Sequence, residues 1–291
     1  MHNTASVKKI KTENFLAELY LDPFNKRLRV DDYAGKLEDA VHEAERTAKE
    51  QQCEKLIFRG RVENYSDLLA MGFQCEAVID GYFRGSNQYF FCKYFSDERR
   101  INPHWISEDR IITSVVAIER NPDVIMPPSE YQLLKITEQD AEKLAALYRE
   151  VFQIYPTPLH DPAYIKKTIQ EGTIYYAFRN NDDLVSAASA EVNLFYKNAE
   201  LTDCATLPSH RKHGLMKILL EKLEKDLKSQ GVFCAYSIAR ALSFGMNAVL
   251  HQLGYSYRGR LLNNCYIFDK LENMNVWVKN LAAAGYWRHI K

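Results

Sequence analysis

The residues most able to do chemistry lie between Ala199 and Leu227, where a half-buried strand breaks at Pro208 and enters a basic turn. An amphipathic helix follows, with apolar residues at Leu215, Ile218, Leu219, Leu223 and Leu227. A strand, a basic turn and a helix N-terminus together make an anion site. The first helical N–H groups have no partner within the helix, and the helix dipole adds positive charge there. The spacing Arg211-x-x-Gly214-x-Met216 lets a backbone without Cβ approach a phosphate at Gly214. It lacks the Gly-Lys-Ser/Thr ending of nucleotide-triphosphatase loops and the three glycines of a dinucleotide fingerprint. Two carboxylates, Glu200 and Asp203, lie just before the turn.

This turn resembles the pyrophosphate loop of the GNAT acetyltransferases, [Q/R]-x-x-G-x-[G/A]. Arg211 and Gly214 match it, and Met216 stands where a small residue is usual. The resemblance implies an acyl-CoA N-acyltransferase fold with acetyl-CoA as co-substrate. The turn residues Arg211, Lys212, His213, Gly214, Leu215 and Met216 would hold the pyrophosphate. Backbone groups of Cys204, Ala205 and Thr206 would meet the pantetheine arm and the carbonyl. Asn247 fits the family's polar residue facing the cofactor on the next helix, or is an exposed helix asparagine.

Acetyl transfer to an amine requires a proton acceptor, because an ammonium with a pKa near ~10.4 is no nucleophile. The family often places a glutamate eleven residues before the loop's first residue, which here is Glu200. Strand alternation puts Glu200 and Asp203 on opposite faces, so both reach one cleft only if a bulge intervenes. Glu200 is then the base, directly or through water, and Asp203 a second base or an ammonium anchor. The tyrosine that many relatives use as the acid for the departing thiolate is replaced by Leu250. Tyr255, Tyr257 or solvent must serve instead. His210 and His213 read as phosphate-contacting or solvated rather than catalytic.

Several further segments, Glu200-Leu-Thr-Asp203, Ala239-Arg240, Gly245-Met-Asn247, Gly254-Tyr-Ser-Tyr257, Asn263-Asn-Cys265 and Met274-Asn-Val-Trp277, resemble the β-lysine N-acetyltransferases. Those enzymes acetylate the terminal amine of 3,6-diaminohexanoate, and in some organisms the product is a compatible solute. The likeness spans nearly the whole chain. A small diamino acid needs a carboxylate clamp, for which Arg240 is the candidate. Phe152 and Tyr155 line the slot or simply pack the core. Two other readings remain: an acyl-CoA-binding regulatory module without turnover, and an acetyltransferase acting on a polyamine or protein amine.

The elements that must position these groups fall into two halves. Residues 126–291 follow an α/β order with a mixed sheet: a helix capped by Thr137, strands Thr173–Phe178 and Leu184–Val192, the strand and helix around the turn, strand Val232–Ile238, helix Gly245–Leu253 and two closing strands. Residues 1–125 repeat the later part only, from a helix Leu37–Gln51 through strand Cys53–Phe58 to strands Cys75–Ile79 and Gln88–Phe95. Leu69-Ala-Met-Gly-Phe73 answers Leu250-His-Gln-Leu-Gly-Tyr255, which suggests an internal duplication. Asp31-Asp-Tyr-Ala-Gly35 stands where the basic turn would be. The N-terminal half is therefore expected to be a degenerate GNAT-like domain with no cofactor site, joined through the proline-rich segment 120–128.

Lys and Arg number 38, as do Asp and Glu, which argues against nucleic acid or an anionic membrane as partner. The six cysteines include no Cys-x-x-Cys pair, so neither zinc nor a redox dithiol is expected. No signal core or membrane-length apolar run is present, which points to a soluble cytoplasmic protein. The partner is a small molecule, no metal is required, and the chain is compatible with a homodimer.

Overall fold

The computed structural model describes residues 5–120, 126–267 and 270–282. Its first half contains strands β1 (Ser6–Lys11), β2 (Phe15–Asp22) and β3 (Arg27–Gly35), helix α1 (Leu37–Glu50), strand β4 (Lys55–Gly60), helix α2 (Tyr65–Ala70) and strands β5 (Gln74–Phe83) and β6 (Ser86–Tyr94). Helices α3 (Asp97–Arg100) and α4 (Trp105–Val116) follow. The second half runs β7 (Tyr131–Lys135), α5 (Ala141–Val151), α6 (Pro162–Gln170), β8 (Ile174–Asn180), β9 (Asp183–Asn193), β10 (Asn198–Thr206), α7 (Leu215–Ser229), β11 (Cys234–Arg240), α8 (Phe244–Gln252), β12 (Ser256–Ile267) and β13 (Lys270–Asn280).

All thirteen strands form one sheet, in the order β1-β2-β3-β4-β6-β5-β12-β13-β11-β10-β9-β8-β7. Read outward from the β5–β12 junction, the six strands of the first half match the first six of the second in order, and β7 is an additional edge strand of the second half. Within each half only one neighbouring pair is parallel, β3 with β4 and β10 with β11. Even an irregularity recurs. Asp31 is an extra residue between the rungs Glu18↔Asp32 and Leu19↔Val30, and β10 carries one extra residue between Thr202↔Ser189 and Ala205↔Ala187.

The first half thus does contain early strands, contrary to the expectation that it repeats only the later elements. The segment 31–35, read as the counterpart of the basic turn, is the end of β3. Strand β1, Ser-Val-Lys-Lys-Ile-Lys, is exposed at nearly every position, and β3 mixes arginines and aspartates with Leu28 and Val30. Neither shows the clean alternation by which a half-buried strand is recognised. The two closing strands expected near Tyr255–Arg260 and Asn264–Phe268 fall, within the described residues, along one strand, β12, while strand β13 and helix α4 were not anticipated.

The halves join through a single antiparallel rung, Gly259↔Ala77. A Cβ on Gly259 would lie 2.3 Å from the Glu76 carbonyl oxygen, and its φ is +124°, so only glycine fits. Buried polar groups hold the seam. Lys55 pairs with Glu76 at 2.9 Å and donates to the Leu262 carbonyl at 2.7 Å. Helix α4, although it lies within residues 1–125, places Val115 in the core of the second half. Its buried Glu108 accepts from Asn273 Nδ2 at 2.7 Å.

Helix α7 buries Leu215, Leu219, Leu223 and Leu227 against Phe178, Ala199 and Leu201 of the sheet. That apolar stripe fixes where its N-terminus points. The six cysteines are free thiols. No described helix is long and apolar enough to cross a membrane.

Candidate active site

Strands β10 and β11 pair over only three rungs, Asn198↔Cys234, Ala199↔Ala235 and Glu200↔Tyr236. Both continue further, β10 to Thr206 and β11 to Arg240. The sheet therefore opens into a V with Glu200 and Tyr236 at its apex. Along the β10 arm lie Cys204, Ala205 and Thr206, whose edge towards β11 is not consumed by strand pairing.

The bulge required for both carboxylates to serve one site is present. Asp203 adopts φ +52°, a left-handed conformation that Asp tolerates better than most residues. Its carboxylate is 4% exposed and accepts from Ser189 Oγ at 2.7 Å. The Tyr155 hydroxyl also hydrogen-bonds it. Phe152 stacks between Tyr148 and Tyr155, with ring centroids 6.0 and 4.4 Å away. The aromatic pair expected near the slot thus packs behind Asp203.

Glu200 instead faces a cavity of about 360 Å³ at the boundary of the two halves. Its cross-strand partner is Glu191 on β9, and both carboxylates line this space. Arg29, Arg59 and Tyr82 of the first half close the other side. Burial pushes the Glu200 carboxyl up to about 7; Glu191 adds to the rise, and Arg59 and Arg29 oppose it. Glu191 is open to solvent through the cavity; the protein around its carboxyl still raises it by desolvation, held back by Arg29 and Arg59. Asp203 is pushed up to about 7 by burial and then by Glu191, against its bonds from Ser189 and Tyr155. A carboxyl titrating near neutrality is suited to proton transfer at physiological pH.

The anion turn lies at the open end of the V. After Thr206 the chain makes a tight turn at Pro208–His210 and reaches α7 through Gly214. Lys212 and Gly214 both have φ +72°, and no side chain caps the α7 N-terminus. Its first N–H groups are thus left for an anion. Arg211 Nε donates to the Thr206 carbonyl at 3.3 Å. His210 Nδ1 lies 2.9 Å from the Tyr131 hydroxyl, and the His213 ring sits 5.5 Å from that tyrosine's ring. Leu215 is buried, so only its backbone is available, and Met216 packs partly against the core. An open slot between strands, ending at an uncapped helix N-terminus, suits an elongated phosphorylated thioester such as acetyl-CoA. In the first half a single residue, Lys36, separates β3 from α1. There Asp31 is paired with Arg29 and Arg59, and Asp32 with Arg61.

Three expectations need correction. Asn247 does not face a cofactor. It is fully buried, donates to the Arg240 and Ser243 carbonyls at 2.9 and 2.7 Å, and accepts from Asn275 and Trp277. Arg240 is not among the cavity residues and pairs with buried Glu272 at 2.9 Å. Tyr255 is packed in the core beside Glu224 and Lys279, and Tyr257 lies against Trp277; neither lines the cavity. Cys204 is held neutral, its thiol raised by burial and then by Asp203. Sequence reasoning missed Glu191, Arg29, Arg59 and Tyr236. The available signal was charge inside strands, as in Leu56-Ile-Phe-Arg59 and Ala188-Ser-Ala-Glu191.

The acetyltransferase (GNAT) domain family matches residues 132–258. The N-acetyltransferase YodP of Bacillus subtilis is 42% identical over 277 residues, 94% of this chain and all of that protein. A beta-lysine N(6)-acetyltransferase of Methanosarcina mazei is 32% identical over 270 residues, covering 86% of this chain and all of the relative. The chain belongs to the GNAT acetyltransferases. It is an enzyme of that family, whose acyl donor is acetyl-CoA. A second beta-lysine N(6)-acetyltransferase, from Methanococcus maripaludis, is 36% identical over 72% of this chain and 76% of its own length. Among solved structures, an acetyltransferase from Salmonella typhimurium with acetyl-CoA covers 53% of this chain and 95% of its own, at 14% identity and a TM-score of 0.45.

Proposed function

We propose that this acetyltransferase transfers the acetyl group of acetyl-CoA to the terminal side-chain amine of a small diamino acid, with β-lysine as substrate. The relatives that bear that activity in their names support the substrate. The observation that carries the reading is the acidic pair of Glu200, at the apex of the V, and its cross-strand partner Glu191, both lining a cavity opposite two arginines. Two carboxylates facing a cavity attract the ammonium groups of a diamine, and the arginines suit its carboxylate.

In this reading Glu200 accepts the proton of the ammonium that is to react, directly or through water. The freed nitrogen attacks the thioester carbonyl, a C–N bond forms and the C–S bond breaks. Glu191 holds the substrate's second ammonium. Asp203, fixed by Ser189 and Tyr155, holds the bulge and contributes negative potential rather than a proton path. With Tyr255 and Tyr257 packed elsewhere, the departing thiolate takes up, through water, the second proton that the nitrogen sheds as the amide forms. The turn at Arg211–Met216 binds the pyrophosphate through its backbone.

The test is free thiol released from acetyl-CoA in the presence of β-lysine, lysine, ornithine, polyamines or a lysine peptide. The highest kcat/KM is expected with β-lysine. A clear preference for a polyamine or the peptide would replace the substrate assignment. Tight acetyl-CoA binding without release for any amine would favour the non-catalytic acyl-CoA-binding reading.

A further inference from the structure

The cavity is built by both copies of the duplicated unit, and its walls carry opposite charge. The wall from the second half presents Glu191 and Glu200. The wall from the first half presents Arg29 and Arg59. Within the described residues, no ion pair within 4 Å joins either glutamate to either arginine; both arginines pair with Asp31 instead. Opposite charges have been gathered around one cavity and kept apart, leaving room for a ligand between them.

The two arginines are not equivalent. Arg29 directs both its Nε and Nη2 to Asp31 and is thereby committed. Arg59 is 8% exposed and donates through Nη1 to the Tyr82 hydroxyl at 2.9 Å. Its Nε lies 3.3 Å from Asp31 Oδ1 but makes no hydrogen bond. A buried guanidinium with an unspent N–H is costly unless a ligand completes it. The formal charges agree. With all groups ionised, Asp31, Glu191 and Glu200 outnumber Arg29 and Arg59 by one, and a diamino monocarboxylic acid with both amines protonated carries one net positive charge.

We propose that Arg59 of the N-terminal copy binds the carboxylate of the amino-acid substrate, with Arg29 and Asp31 as positioning residues. The degenerate copy, which lacks a phosphate turn, is the specificity half of the active site. The duplication has thus divided the work: one copy binds the acyl donor, and the other selects an amine that bears a carboxylate. This rests on the diamino-acid reading above and moves the clamp from Arg240 to Arg59.

The experiment compares β-lysine with its carboxyl-free counterpart, 1,4-diaminopentane, using the full chain and the variants Arg59→Met and Arg59→Lys. Loss of a charged hydrogen bond should cut the preference for β-lysine over the diamine by about ten- to a hundredfold in Arg59→Met. The change should appear as a raised KM for β-lysine, with the KM for acetyl-CoA unaltered. Arg59→Lys, which keeps the charge without the fork, should retain part of the preference, and it carries the test should Arg59→Met fail to fold. The proposal is overturned if the variants slow both amines equally, or if the native chain shows no preference for the carboxylate. If the native chain favours lysine or ornithine over β-lysine, the substrate assignment falls. The same comparison, against 1,5-diaminopentane or 1,4-diaminobutane, then decides the role of Arg59 independently.

Discussion

Glu191 and Glu200 are direct cross-strand partners on adjacent antiparallel strands, both facing the same cavity. Like charges so placed repel, and a fold without need of them would have one or neither. The pair is tolerated because each is raised towards its neutral form by desolvation, because Glu191 remains open to water, and because Arg29 and Arg59 face them. A cation in the cavity relieves the repulsion, so substrate binding and the stability of this region are linked.

This gives a stability prediction with a definite sign. Glu200 is raised from 4.5 to about 7 in the folded protein. A raised carboxyl favours folding while protonated, so its contribution is complete below the unfolded value and is lost as pH rises through about 7. The Tm without amine should therefore fall between pH 5 and 8. Glu191→Gln should reduce that fall, by an amount on the order of 1 kcal/mol or less, since water reaches Glu191 through the cavity. Thermal melts across that range decide it; a slope identical in native and variant proteins would show that the pair carries no strain.

A second prediction concerns the cofactor turn. Gly214 has φ +72° at the first turn of α7, a conformation costing a residue with a Cβ about 1–2 kcal/mol. Gly214→Val should raise the acetyl-CoA KM strongly while the far-ultraviolet circular dichroism stays native. A folded variant with unchanged KM would place the pyrophosphate elsewhere.

The third concerns stoichiometry. In the first half β3 is joined to α1 through Lys36 alone, where the second half has the turn from Leu207 to Gly214. Isothermal titration should give one acetyl-CoA per chain. Two sites would show that the acidic end of β3 does not keep the cofactor away.

A fourth separates the two readings of Asn247. Its amide is bonded to Arg240, Ser243, Asn275 and Trp277. Asn247→Leu strands all four partners and should cost about 2–4 kcal/mol of stability. The acetyl-CoA KM of the folded fraction should stay near native; a rise without loss of stability would restore a cofactor contact.

The sequence made the second half legible because its strands and helices alternate between strand and helix periods. The turn from Arg211 to Met216 stood out because basic residues, glycine and a leucine stripe adjoin one another. A bulge in β10 was a geometric necessity once Glu200 and Asp203 were assigned to one cleft; the bulge is present, but Asp203 turns to Ser189 while Glu200 alone of the two lines the cavity. The cavity was not legible. Arg59 and Glu200 are 141 residues apart in the chain, and only the Gly259↔Ala77 junction brings their strands into one sheet. Strand β3 hid for a related reason: its charges are paired with one another and with neighbouring arginines, Asp31 with Arg29 and Arg59 and Asp32 with Arg61, which a one-dimensional pattern records as surface. Asn247 was misjudged because a polar side chain on a helix says nothing of its direction when its partners, Asn275 and Trp277, lie on a distant strand.

The final prediction tests Glu200 as the proton acceptor. Glu200→Gln preserves size and hydrogen-bonding capacity but cannot take a proton, so kcat and kcat/KM for the amine should fall on the order of a hundred- to ten-thousandfold. The acetyl-CoA KM should change little, because the turn at Arg211–Met216 lies at the other end of the V. In the native enzyme kcat/KM should rise with pH through about 7 as Glu200 loses its proton. In Glu200→Gln that step should vanish, leaving a shallow rise at alkaline pH as free amine accumulates. Glu191→Gln should behave differently: its main loss should be in the diamine KM, because it holds an ammonium that does not react. Asp203→Asn should fall between, since Asp203 is enclosed by Ser189 and Tyr155. Turnover lost in Asp203→Asn and retained in Glu200→Gln would move the base across the bulge. Turnover retained in both would mean that the amine arrives already deprotonated and that the acidic pair serves binding alone.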